Sequence, residues 1–591
     1  MFAPLSPTAY HRNEGPFSFV KANAMLNSLR VLVVCLLILG CKQRPEQKAE
    51  LEKQNVAAKN AHFPIANADL GAEEHQRDPK AVEVDEKWKD AGAELFWCGE
   101  TLQGTWASRR ETTQGLRFPV RLYLFREWKL GMAQTLPSPP EPFGVTLGFL
   151  KPKADVPVSE FSNLTNLVSL YLRRANAEDL KTLKYMRELR HLGLPCGSFY
   201  PEAGGLYRLP GESLKSLEDL PKLAFLHLSG ASDTHVEGIK NLSRIRHLAL
   251  PNSGASDEAF KLLSNFRHLE CLDLTNDNFM GGNSDAALSN LPADLPIKHL
   301  YLFGNRMSNN AADAILRWKS LETLLINKNK IGDEGIKKLA DLPKLRMLDI
   351  SETNASGRVL QGVTGFASLS DLTLGKEDLR RGLHEISPTT QLQRLFIIDA
   401  ALEKEAIDSI ARMKHLRTLG LIKTDLSNDT AEPLAALSNL ETLNLSKSVR
   451  ISNSGLEWLQ KLPSLKSLHL DDTAVSSSGL SKIQLMPKLT HLGMGGISVT
   501  DEEMEPIGRM TQLQWLNLSQ SRVSDDGIKK LADLKKLASL DLSYANGKPL
   551  SLTVLSRLEN LKTLTITGPR WTDDEVDSLR KKLPGCRIIT R

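Results

Sequence analysis

The side chains with the most chemistry to offer are 13 histidines and 6 cysteines. Three of them, His247, Cys271 and His299, recur at intervals of 24 and 28 residues, and imidazole with thiolate is a ligand set for zinc or copper. The sequence has no CxxC pair and none of the close ligand spacings of a zinc site. HExxH, GxSxG and GxxxxGK[ST] are also absent, so no metalloprotease, serine-hydrolase or phosphate-loop chemistry is announced. Adjacent acids such as Asp333-Glu334, Asp471-Asp472 and Asp573-Asp574 could form acid–base pairs. Those in D-x-G segments return periodically, which points to helix starts instead.

One cysteine carries a different chemistry. VLVVCLLILGCKQ, Val31 to Gln43, is the most apolar run of the chain and ends on Cys41. Val31–Leu39 is far shorter than the roughly 20 residues of a membrane span. Preceded by Arg30 and counted from Met25, it has the basic and apolar regions of an export signal. The segment resembles a bacterial lipoprotein signal, with Gly40 and Cys41 in place and Leu39 where a smaller residue is usual. That resemblance implies a start at Met25, lipid attachment at Cys41, export, and anchoring at a cell-envelope membrane. Cys98 and Cys196 are the one pair to consider for a disulfide.

The chemistry-bearing residues must be positioned by 591 residues of ordinary composition, 41% hydrophobic and 25% charged. Such values exclude a wholly disordered or polytopic membrane protein. The net charge of +5 is spread along the chain and gives no argument for nucleic acid. Residues 1–41 read as the signal segment. Residues 42–92, rich in Lys, Glu, Gln, Ala and Asn, read as a flexible linker. Residues 93–142 hold Trp97, Trp106, Trp128 and the alternating FPVRLYLF, and read as a small β-rich cap.

From 143 to 591 one pattern repeats. LETLLINKNKIGDEGIKKLADLPK begins at Leu321, and LRMLDISETNASG begins at Leu345, 24 residues on. The template LxxLxLxxTxΦ, where Φ is apolar, starts at 17 positions from Leu167 to Leu561. Its leucines share one side of a short strand, a Thr, Asn or Ser stands in the following turn, and the helical half begins with acids and ends near Pro343. This is identified as the leucine-rich repeat superfamily, similar to ribonuclease-inhibitor-like rungs. The resemblance implies an α/β fold: a right-handed solenoid of about 17 rungs, a parallel concave sheet, short convex helices and a C-terminal half-rung cap.

Template positions 3, 5, 7 and 8 are expected to face the concave side. In the second to sixth rungs they carry His191, Phe225, His227, His247, Cys271, His299, Tyr301 and Phe303. An insertion between Leu189 and Leu223 adds Phe199, Tyr200 and Tyr207. Together these residues form the candidate partner-binding patch, aromatic anchors on a rigid scaffold. His247, Cys271 and His299 would stand in a straight column about 5 Å apart per step, too open for one tetrahedral ion, so no metal and no cofactor are expected. The expectation is a non-catalytic scaffold: monomeric, lipid-anchored, binding a protein or other macromolecule and no nucleic acid. Its rivals are an intracellular adaptor of the F-box-associated type and an enzyme with its site in 93–142, which would need a deep pocket beside the tryptophans.

Overall fold

The computed structural model describes residues 79–590 apart from 102–105, 110–115, 126, 148–155, 201–204, 277–281, 357–365, 376–390, 546–551 and 569–571. Cys41 and the apolar run before it lie outside the described residues. Two compact units are present, Met1–Ala175 with Phe199–Tyr207, and Asn176–Ser198 with Arg208–Arg591.

The first unit begins with helix α1, Pro79–Asp90, in a stretch read from sequence as the end of the linker. A charged residue hides this helix from an apolar-pattern search. Asp85 stands on the buried face between Ala81 and Trp88. Its carboxylate accepts the Tyr123 hydroxyl at 2.7 Å and the Arg121 guanidinium at 2.7 and 2.9 Å. That set of bonds offsets the cost of removing the charge from water. Strands β1 (Glu94–Thr101), β2 (Trp106–Arg109) and β3 (Leu116–Leu124) form an antiparallel sheet. β4 (Phe143–Thr146) joins β3 in parallel, and β5 (Leu167–Tyr171) joins β4. The interior is filled with rings: Trp88 lies 4.3 Å from Tyr123 and 5.7 Å from Phe143, and Trp128 lies 4.7 Å from Phe125 and 5.2 Å from Phe161. Trp88 and Trp128 are therefore core residues, whereas Trp97 is half-buried.

The second unit is a parallel ladder. β6 (His191–Pro195) is followed by the paired strands β7 and β8 (Gly197–Tyr200 and Gly205–Arg208), of which Phe199–Tyr207 group with the first unit. β9 (Phe225–Ser229), β10 (His247–Ala249), β11 (Cys271–Asp273) and β12 (His299–Tyr301) then add in order, and the ladder runs on to Arg587–Ile589. Register never slips over the first five: His191, Phe225, His247, Cys271 and His299 are direct neighbours. The template leucines Leu192, Leu226, Leu248, Leu272 and Leu300 are buried between sheet and helices. Each contributes about 1.5–3 kcal/mol on burial. No rung can gain this alone, because its leucines are covered by the rungs on either side. This is an α/β leucine-rich repeat solenoid.

Three devices join successive rungs. At template position 8 the backbone turns left-handed, at φ 54° for Lys328 and 64° for Lys447, and the N–H donates to the next rung, to Ser351 O (2.9 Å) and Asp471 O (2.7 Å). Gly304 fills this position where any Cβ would stand 1.9 Å from Asn276 O. At position 9, Asn329 donates to Leu302 O of the preceding rung (2.8 Å) and to Ile326 O of its own (2.9 Å), and accepts from the Met307 N–H (2.9 Å). Where threonine replaces asparagine, Thr353 and Thr473 donate only to their own rungs, to Ile350 O and Leu470 O. Finally, the first helical aspartate clasps the next rung. Asp233 accepts the Ser256 N–H and hydroxyl (2.6 and 2.9 Å), and Asp285 and Asp333 do the same for Ser308 and Ser356. This gives the periodic acids a structural job.

Among the described residues no helix is long and apolar enough to cross a membrane. Cys98, Cys196, Cys271 and Cys586 are buried free thiols, and burial pushes the Cys196 thiol up.

Candidate binding interface on the concave sheet

The strands turn alternate side chains away from the helices, so the concave face of the second unit can be read column by column. Phe225 and His247 stack at 4.2 Å and 20°. One rung on, Cys271, Tyr301 and Leu325 form an apolar cluster with Met347 packed against it. His299 Nδ1 lies 3.1 Å from Thr323 Oγ1, and Lys328 sets its ammonium 5.2 Å from the Phe303 ring.

The structure thus brings Phe225, His227, His247, His299, Tyr301 and Phe303 onto one continuous sheet face, beside His191. Phe225, His247, His299, Tyr301 and Phe303 are each under 10% exposed, because neighbouring rungs pack their side chains edge to edge. His191 and His227 are only half-buried. Phe199, Tyr200 and Tyr207 lie on β7 and β8, in the first unit by grouping, and their side chains are outside the described set. Sequence reasoning stopped two rungs early: Leu325 and Met347 occupy the same template positions as Tyr301 and His299 and extend the apolar surface.

His191, His227 and His247 are held neutral at neutral pH. Burial lowers His191 to about 3, helped by His227 and His247, and lowers His227 to about 4. His247 falls to about 3 through burial first and then the Arg246 charge, with Glu270 opposing. Along the flank, Glu270 bridges Arg246 (2.8 Å) and Lys298 (2.9 Å) across three rungs. Burial pushes the Glu270 carboxyl up, but its bonds to Lys298 and Arg246 outweigh this and hold it below its ordinary value.

Farther along the ladder, polar concave residues are spent on the backbone. Asn444, Asn517 and Asp541 accept the N–H two residues on, from Ser446, Ser519 and Ser543 at 2.9, 2.9 and 2.8 Å. The short strand ends there, and the side chain satisfies an amide left over. One strand places Ser467, His469 and Asp471 on the same face. Ser467 Oγ is 3.1 Å from His469 Nε2, and His469 Nδ1 is 3.9 Å from Asp471 Oδ2. The order is that of a nucleophile triad, but the chemistry does not follow. Ser467 is buried, 3.9 Å is too long for a hydrogen bond, and Asp471 is held by the Gly495 N–H (2.7 Å), Asn517 (2.7 Å) and Ser446 (3.2 Å). The N–H groups of Ser467 and His491 are used in the ladder, leaving neither to stabilise an oxyanion. Among the described residues no group of three or more His, Cys, Asp or Glu side chains is arranged to hold a metal ion.

Residues 159–381 match the family model of a leucine-rich repeat region. No curated protein matches the chain. Similar solved structures include an internalin from Listeria monocytogenes, 22% identical over 60% of this chain and 94% of that one, with a TM-score of 0.36. A leucine-rich repeat protein of Leptospira interrogans is 20% identical over 79% and 99%, TM-score 0.33. The mouse RP105/MD-1 complex supplies a chain 18% identical over 79% and 86%, TM-score 0.43. At these values nothing about partners transfers from them.

Proposed function

We propose that this leucine-rich repeat protein is a non-catalytic binding scaffold, exported and held at a cell-envelope membrane through a lipid on Cys41, which engages a protein or other macromolecule with its concave face. The observation that supports it most is the gathering of apolar and aromatic side chains on the sheet face turned away from the leucine interior, from Phe225 through the Cys271, Tyr301 and Leu325 cluster. Coil stability is already supplied by the leucines. On the opposite face the rings pack edge to edge into a rigid surface, which a partner would meet beside the half-buried His191 and His227. His191 extends the proposed surface on the second unit, Phe199, Tyr200 and Tyr207 are proposed as partner contacts of the first unit, with which they group, and the protein acts as a monomer.

The test has two arms. Mass analysis of the mature protein should find a chain beginning at Cys41 and carrying acyl groups; an unmodified Cys41 would remove the anchor. Partner capture by the protein should fall at least about tenfold when Phe225, Tyr301 and Phe303 are changed together to Ala. Capture unchanged by the triple variant would remove the patch.

A further inference from the structure

We propose that the concave sheet carries a second docking surface, over the strands Ser467–His469, His491–Gly493, Trp515–Asn517 and Ser539–Asp541, and that its occupant is an arginine-bearing polypeptide segment. This surface is separate from the aromatic patch and does not rest on it.

Exposure distinguishes the two. The rings of the first patch cover each other, whereas Trp515, His491 and Tyr544 are half-buried and Asp472 and Gln520 are exposed. Trp515 and His491 lie nearly parallel, 24° apart with centroids at 6.4 Å, and His469 adds a third ring 5.4 Å from Trp515. Beside them the glycines of the His491 rung lie under their neighbours' side chains. A Cβ at Gly493 would stand 2.6 Å from the Asp471 carboxylate, and one at Gly495 would stand 2.5 Å from Ser519 Oγ. The result is a group of three rings, two of them nearly parallel, beside the Asp471 carboxylate.

Charge decides the occupant. Positions 3, 5, 7 and 8 of these rungs hold Asp471, Asp472 and Asp541 and no Lys or Arg. The imidazoles bring no compensating charge, since burial holds His469 at about 4 and lowers His491. Lys466, at position 2 of the first of these rungs, is paired with Glu441 at 2.9 Å, and Lys447, on the preceding rung, stands beside Asp472. A planar cation suits both parts of such a face. A guanidinium stacks on indole and imidazole rings and binds carboxylates through paired N–H groups, which an ammonium cannot do equally well.

The test uses the full chain and three labelled nine-residue peptides of alternating glycine with arginine, lysine or glutamate, read by fluorescence anisotropy. The arginine peptide should bind, more tightly than the lysine peptide, and the glutamate peptide should not. Trp515→Leu and the pair Asp472→Asn with Asp541→Asn should each weaken it about tenfold. Glu334→Gln with Asp526→Asn, on the helical side, should leave it unchanged. Unfolding midpoints of all variants confirm that they fold. No binding, equal arginine and lysine affinities, an unaffected Trp515→Leu variant, or equal loss in the helical-side control would each overturn the proposal.

Discussion

Asp333 and Ser356 stand on successive rungs, and the carboxylate of Asp333 accepts the Ser356 N–H at 2.6 Å and its hydroxyl at 2.7 Å. An acid that heads its own helix therefore also ties down the turn of the next rung. Asp333→Ala should cost about 1–3 kcal/mol, the penalty for stranding a partly buried donor. Asp333→Asn keeps an acceptor for the N–H and should cost less. Urea-unfolding midpoints of the two variants check the order; equal losses would mean that the clasp is not what holds the rungs.

Asn329 reaches the rung before it, and Thr353 does not. Asn329→Thr should destabilise the chain by about 1–3 kcal/mol, because the Met307 N–H loses its acceptor, while the Leu302 carbonyl keeps the Asn305 amide. Hydrogen exchange would localise the effect: the Met307 amide should exchange faster, with amides several rungs away little changed.

In the first unit, Asp85 anchors α1 through Arg121 and Tyr123. Asp85→Ala leaves a partly buried guanidinium without its counter-charge and should cost about 3–5 kcal/mol. Tyr123→Phe, which removes one bond only, should cost about 1 kcal/mol. Near-ultraviolet circular dichroism of the aromatic core reports both.

Acid should weaken the second unit through its histidines. His247 is held at about 3 in the folded chain against an ordinary value of 6.5. Between those values the unfolded state binds more protons, so stability rises with pH; it is complete above 6.5 and is lost as pH falls toward 3. His247→Phe keeps a ring against Phe225 and removes the proton. Melting temperatures from about pH 7 to pH 4 should fall less steeply in the variant than in the parent.

Much of this architecture was legible in advance, because LxxLxL imposes the same side-chain alternation in every rung. The in-register column from His191 to His299 follows from that template alone. Residues with two possible jobs were harder to read. Asp85 looks like a solvated linker charge until Arg121 and Tyr123 are brought to it over 36 and 38 residues of chain. Asn517 looks like a free recognition residue until its side chain is seen to accept the Ser519 N–H. Mutual shielding on the concave face is also invisible in sequence: spacing places Phe225 beside His247 but does not say that the rings stack.

The central claim, that the concave face is the working surface, is tested most directly by photo-cross-linking in cells producing the protein. A photoreactive side chain at His227, half-buried on the sheet, is compared with one at Lys337, exposed on the helix Asp333–Leu339. The account predicts a discrete cross-linked species from position 227 and none from position 337. Cross-linking from 337 alone, or equally from both, would contradict it.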